Sequence, residues 1–196
     1  FSNKILNKLK GKVDAVAIVD SYGSLFPNQI HKFVNELQKD NIKLGCHFHN
    51  NCGLALANTL AAIDAGCEIA DTTFKGMGRG AGNAETELML ACDAEKRGSI
   101  KGFYLNNLLD ELKKLKDKLD WGSSFAYAFA AKNGYSQASM MELMQKRRLD
   151  PSTAITVIKE KKEPITKFKN IKKSFENIIK LSTPVLIGGG ETQKKY

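Results

Sequence analysis

The chain has 196 residues, 42% hydrophobic and 26% charged, which supports a buried core and excludes a disordered polymer. No apolar run reaches the ~18 residues of a membrane span, and no signal-peptide pattern opens the chain, so the expected setting is cytoplasmic, with no membrane partner. The net charge of +9 is concentrated late: positions 146–180 hold eleven Lys/Arg against four acids. The stretch shows no basic-plus-aromatic pattern typical of RNA readers and reads as a solvated lysine-rich helix face, so nucleic acid is not an expected partner.

Positions 1–12 read as an amphipathic helix. The apolar run Val13–Val19 then leads to Asp20-Ser-Tyr-Gly23, and Pro27 opens a helix with Ile30, Phe33, Val34 and Leu37 on one face. A second run, Ile42–His49, leads to Asn50-Asn-Cys-Gly53 and a helix from Leu54 to about Ala65, stopped by Gly66. A third run, Cys67–Phe74, leads to the glycine-rich stretch Gly76–Gly82 and a helix from about Asn83 past Leu90. Runs that recur every 25–29 residues imply β-α units on a parallel sheet. Three units are too few to close a barrel of ~250 residues, and periodicity alone does not separate a barrel from a doubly wound sheet.

Beyond position 100 the pattern is helical. Leucines 105, 108, 109, 112, 115 and 119 share one helix, which Trp121-Gly122 ends. Ser124–Ala131 reads as a buried helix ended by Asn133-Gly134. Ser139 and Glu142 are spaced for a capping box, and Asp150-Pro151 for a helix start. A basic helix is expected over about 165–181, followed by a strand and glycine-rich turn at 184–190. The expected division is a barrel part over 1–100, a helical appendage over 101–182 and the start of a further domain over 183–196, with both ends cut from a longer protein. The four cysteines form no Cys-x-x-Cys pair and read as ordinary buried thiols.

The chemistry concentrates in His47-Phe-His49. Strand alternation puts both imidazoles on one face, ~7 Å apart, at the carboxyl end of a strand, where parallel α/β folds bind ligands. Two such rings can share a metal ion or act as a hydrogen-bonded polar pair. Asp20-Ser21 ends the first strand, and the Gly76–Gly82 loop follows the third. Its backbone is open to a carboxylate, phosphate or enolate. Asn83 also suits a helix cap, and Asp71 a strand-end polar position.

Taken in order, Asp20-Ser-Tyr-Gly23, His47-Phe-His-Asn50 with Gly53-Leu-Ala-Leu-Ala-Asn58, and Gly76-Met-Gly-Arg-Gly-Ala-Gly-Asn83 with Glu87 resemble the last three β-α units of the DRE-TIM metallolyases. This is the HMG-CoA-lyase-like, or pyruvate-carboxyltransferase-like, domain. The resemblance covers about half the chain. It implies an α/β fold, a partial (β/α)8 TIM barrel followed by an all-helical region. It implies a divalent metal, Mn2+, Mg2+ or Zn2+, held by His47 and His49 with Asn83 as a further contact. Asp20 is implied as a catalytic residue near the substrate, and Ser21, Asn50, Gly76, Gly78 and Gly80 as substrate contacts. The implied substrate is a small 2-oxo acid or an aldehyde, the implied reaction making or breaking of the carbon–carbon bond beside the carbonyl.

The family's Arg-Asp signature on the first strand is absent, so the other barrel half and a C-terminal domain of the same chain are expected partners, with homo-oligomer formation. The cysteine that HMG-CoA lyases carry in the glycine-rich loop is also absent, and the short loop looks closer to the oxovalerate-aldolase branch. The helical stretch and closing strand are similar to bacterial aldolase-domain proteins with a further C-terminal domain. An acyl-CoA-dependent Claisen condensing enzyme and an inactive scaffold fragment are the alternatives.

Overall fold

The computed structural model describes residues 8–38, 42–97 and 106–160. The opening helix before residue 8, the basic helix at 165–181 and the strand at 184–190 lie outside the described residues. So does the whole of the 183–196 segment.

Three strands, β1 (Ala15–Asp20), β2 (Lys43–Phe48) and β3 (Ile69–Asp71), form one parallel sheet in that order. Helices α1 (Pro27–Leu37) and α2 (Ala55–Asp64) connect them, and α3 (Thr86–Arg97) follows β3. The arrangement is α/β, as the repeated run-and-helix pattern implies. β2 is central and paired on both sides, so Leu44, Gly45, Cys46 and Phe48 are all buried, as expected of an inner parallel strand.

One core fills the space between the sheet and the two connecting helices. Ile30, Val34 and Leu37 of α1 recur at helical spacing and meet Val16, Leu44, Cys46, Phe48, Ala55 and Ala62. Phe33, expected on that face, is only half-buried. α1 starts at Pro27, whose fixed φ suits a first turn, and the Gln29 side chain accepts a hydrogen bond from the Phe26 N–H at 2.9 Å. Cys46 and Cys67 are buried in this core, Cys52 is half-buried and Cys92 exposed, and all four are free. The neighbouring Cys67 thiol and burial push the Cys46 thiol up.

The second half is helical: α4 (Asn106–Leu119), α5 (Phe125–Asn133), α6 (Gln137–Met141) and α7 (Pro151–Glu160). A π-helical turn, Glu142–Lys146, extends α6. Ala126, Tyr127, Ala130, Met140, Leu143, Ala154, Ile155 and Ile158 form a second core. The helix stops occur where the sequence implies. Ser124 caps α5 by accepting from the Tyr127 N–H, and Gly134 ends it with φ 72°.

Three local expectations are corrected. The cap of α6 is Ser136, which accepts from the Ser139 N–H, so the Ser139–Glu142 capping box does not form. The third run is strand only over Ile69–Asp71, because beyond it Thr73 pairs as an isolated bridge with Glu85 and the chain enters a 3-10 turn at Phe74–Gly76. The helix expected from Asn83 begins at Thr86, because Asn83 pairs across to His49 as an antiparallel bridge and is not a cap.

Candidate functional site

The pleat and register decide which side chains meet. Val19, His47 and Asp71 align across the three strands and share one face. Asp20 aligns with Phe48, whose side chain faces the α-helical core. The histidines and Asp20 therefore start on opposite faces of the sheet.

The structure brings His47 and His49 together, with ring centroids 5.1 Å apart and planes at 81°. His47 Nδ1 lies 3.0 Å from Asp71 Oδ2. With the ring proton on Nδ1, this bond fixes the tautomer and leaves the Nε2 lone pair available. Burial, then His47 and Arg79, lower the His49 pKa to about 4, so the ring is neutral at pH 7. Its Nδ1 is buried with no hydrogen-bond partner.

Asn83 joins the pair through its backbone bridge to His49. Its Nδ2 donates to the Met77 carbonyl at 3.1 Å, while its Oδ1 is buried and unpartnered. An unmet buried polar atom costs about 1–3 kcal/mol, so two of them on bridged residues need an account. Neutral imidazole nitrogen and amide oxygen are donors that a divalent cation accepts. The residues fit such an ion, although among the described residues no group of three or more His, Cys, Asp or Glu is placed to hold one.

The glycine-rich loop wraps Asn83. The Asn83 N–H donates to Gly76 O at 3.0 Å, and a Cβ on Gly78 would lie 2.6 Å from Asn83 Nδ2. Gly76 and Gly80 have φ of 63° and 58°. A Cβ on Gly80 would lie 2.8 Å from Gln137 Nε2. These approaches require glycine. The Asn50 N–H donates to Gly82 O at 2.9 Å, and Asn50 Oδ1 accepts from the Ala55 N–H at 3.1 Å, fastening the loop after β2 to the start of α2. Ser21 is half-buried in the turn after β1.

The Asp20 carboxylate accepts from the N–H groups of Tyr22 at 3.2 Å and Leu25 at 2.8 Å. Burial raises its pKa against the lowering effect of these and neighbouring backbone donors. Its place is at the root of the β1 loop, and its backbone carbonyl accepts from the His49 N–H at 3.4 Å.

Sequence reasoning left Asp71 as a strand-end polar residue, because its contact with His47 depends on the β2–β3 register. It passed over Asn51, which is buried with Oδ1 unpartnered. Nor did it connect Trp121 with the loop, a contact spanning 46 positions of sequence.

Positions 6–115 match the family model described as HMGL-like. The 4-hydroxy-2-oxovalerate aldolase of Thermomicrobium roseum is 44% identical over 98 residues, 50% of this chain and 27% of that protein. The protein of the same name from Thermus thermophilus is 44% identical over 99 residues, 50% of this chain and 28% of its own. The oxaloacetate decarboxylase of Mycobacterium tuberculosis is 37% identical over 99 residues, 50% of this chain and 29% of its own. The chain thus spans less than a third of the length of these relatives. Among solved structures, the N-terminal domain of a Bacteroides vulgatus protein named as an aldolase superimposes with a TM-score of 0.66 at 30% identity. The match covers 80% of this chain and 53% of that one. The carboxyl transferase domain of Rhizobium etli pyruvate carboxylase shares the fold, with a TM-score of 0.59 at 15% identity over 74% of this chain and 26% of that one.

Proposed function

The chain belongs to the HMGL-like family, and from that membership we propose that it carries the C-terminal part of the active site of a divalent-metal-dependent lyase. In this reading β1–β3 are the last three strands of a (β/α)8 barrel. The reaction makes or breaks the carbon–carbon bond beside the carbonyl of a small 2-oxo acid.

The carrying observation is the cluster at the end of β2: two imidazoles in contact, one held neutral by burial, beside an asparagine oxygen with no partner. His47, His49 and Asn83 hold the cation. When bound, Mn2+, Mg2+ or Zn2+ supplies Lewis acidity toward the oxygens of a 2-oxo acid.

Asp71 keeps His47 in the tautomer that offers Nε2. Gly76, Gly78 and Gly80 let the loop backbone close on Asn83 and approach an anionic substrate. Ser21 and Asn50 stand on the two loops beside them, and Asp20 acts by holding the β1 loop in shape. Aldol cleavage breaks the bond between C3 and C4 of a 4-hydroxy-2-oxo acid. The C4 hydroxyl loses its proton to become the aldehyde, and the bonding pair leaves C3–C4 to give the pyruvate enolate, later protonated at C3. Decarboxylation of oxaloacetate gives the same enolate, so the names of the aldolase and decarboxylase relatives point to one stabilised species.

The test uses the full-length protein with Mn2+ and 4-hydroxy-2-oxovalerate, reading pyruvate by coupled reduction to lactate. Pyruvate release that EDTA abolishes is expected. His47→Ala and His49→Ala each remove stoichiometric metal, measured by elemental analysis. Unchanged metal content in both variants would sink the site.

A further inference from the structure

We propose that the helices after residue 106 are part of the site's scaffold, with Trp121 as the positioning residue that sets the glycine-rich loop and, through it, Asn83. The inference rests on the metal-site reading above and assigns a role to Trp121, Gly122, Gln137 and Gln145, which that reading does not use.

The loop from Lys75 to Gly82 has little regular structure, and Gly76, Gly80 and Gly82 all adopt positive φ. Ordering so free a backbone costs conformational entropy, so contacts outside the loop must offset it. The helical half supplies them. Trp121 is 5% exposed, and its Nε1 donates to Lys75 O at 2.9 Å. Its indole borders Gly82, where an added Cβ would sit 3.3 Å from Cδ1. The Gly122 N–H donates to Gly80 O at 2.9 Å, and Gln137 Nε2 to Arg79 O at 3.2 Å. Ala81 of the loop is 2% exposed and is a member of the second core, among α5–α7.

The clamp has backing on both sides. Gln145, in the π-helical turn, donates from Nε2 to Asp120 O at 3.0 Å and so fixes the turn that carries Trp121. Opposite it, the Glu87 carboxylate accepts from the Lys75 N–H at 3.0–3.1 Å and lies 3.7 Å from Lys75 Nζ. Lys75 is thereby held at φ 54°, where a non-glycine residue needs support. Inside the loop, Gly76 O and Met77 O bond the backbone and side-chain nitrogens of Asn83. The position of Asn83 Oδ1 is therefore set by a turn gripped from outside. Tryptophan suits this task because one side chain both fills the space over Gly82 and donates a hydrogen bond.

The experiment measures Mn2+ affinity of the full-length protein by calorimetry, alongside kcat and KM for pyruvate release. Trp121→Phe keeps an aromatic ring and removes the N–H. Gln137→Ala removes an independent bond at the surface and carries the test alone should Trp121→Phe unfold. Expected are a Kd for Mn2+ raised about tenfold in Trp121→Phe and a few-fold in Gln137→Ala, near the effect of one lost hydrogen bond. The melting temperature should change little in Gln137→Ala, whose bond is exposed. Trp121 is the one tryptophan of this sequence. Mn2+ should therefore quench the part of the emission that Trp121→Phe removes, and should not do so in His47→Ala. Wild-type affinity in both clamp variants, with His47→Ala binding none, would overturn the positioning role and leave the metal site standing. A wild-type protein that binds no Mn2+ would overturn both.

Discussion

The Asp71 carboxylate that steers His47 is 60% exposed on its own side chain, while the His47 ring is 22% exposed. The pair is open to salt screening, so its value lies in orienting the ring more than in fold stability. Asp71→Ala should leave the melting temperature nearly unchanged and weaken Mn2+ binding about 10–100-fold, the usual scale for a partner of a metal-binding histidine. Calorimetry against wild type checks this, and equal affinity would show that the ring needs no guide. Gly23 is a harder constraint. It has φ 55°, and a Cβ there would lie 2.6 Å from His49 O and 2.7 Å from Asn51 N. Gly23→Ala should cost at least ~2 kcal/mol from the left-handed backbone and the clash together, read from urea midpoints. At this scale the His47–His49 pairing was legible, because alternation acts within three residues. Asp71 was not, since only strand register places it. The pleat also puts Asp20 on the face away from the histidines, which its position after the first apolar run does not reveal.

Helix starts and stops carry most of what the sequence says about elements. Asp150 precedes α7, and its Oδ1 accepts from the N–H groups of Ser152 at 3.0 Å and Thr153 at 3.1 Å. Hydrogen bonds from the Ser152 and Thr153 hydroxyls and the Thr153 N–H hold this carboxylate well below its usual range. A depressed folded-state pKa stabilises the fold above the unfolded value of ~4 and loses that effect as pH falls below it. Asp150→Ala should therefore lower the urea midpoint at pH 7, with the gap from wild type closing toward pH 2. A gap that persists would place the effect elsewhere. Ser124→Ala removes the cap of α5 and should cost about 1 kcal/mol in the same measurement. Caps are legible when cap and first turn are adjacent, as at Asp150-Pro151. At α6 two serines compete, and the fold uses Ser136, so spacing alone misplaces that boundary. The boundary at Asn83 failed for a related reason: the bridge to His49 takes the residue a local rule assigns to a cap.

Over the molecule, the sheet is open at both sides, since β1 and β3 each pair only with β2 among the described residues. Ile69 on β3 is 48% exposed. Unpaired parallel edges with apolar side chains bind other strands. The 196-residue chain produced alone should self-associate, with a light-scattering mass above that of one copy. A clean monomer would show that the edges are protected. The β-α order was readable because each unit repeats one local pattern. The packing of the helical half onto the glycine-rich loop was not, because it depends on pairs such as Trp121 with Lys75 and Gln137 with Arg79, far apart in sequence.

The turns after β1 and β2 are built through one another. The Cys52 N–H donates to Gly23 O at 3.2 Å, Asn58 Nδ2 to Leu25 O at 3.0 Å, and Gly23 sits against His49 and Asn51. For anyone recombining barrel loops between relatives, residues 20–25 and 49–58 are shaped to each other and travel as a pair, and because His49 and Asn50 also bond Asn83 and Gly82, the glycine-rich loop belongs in the same exchange.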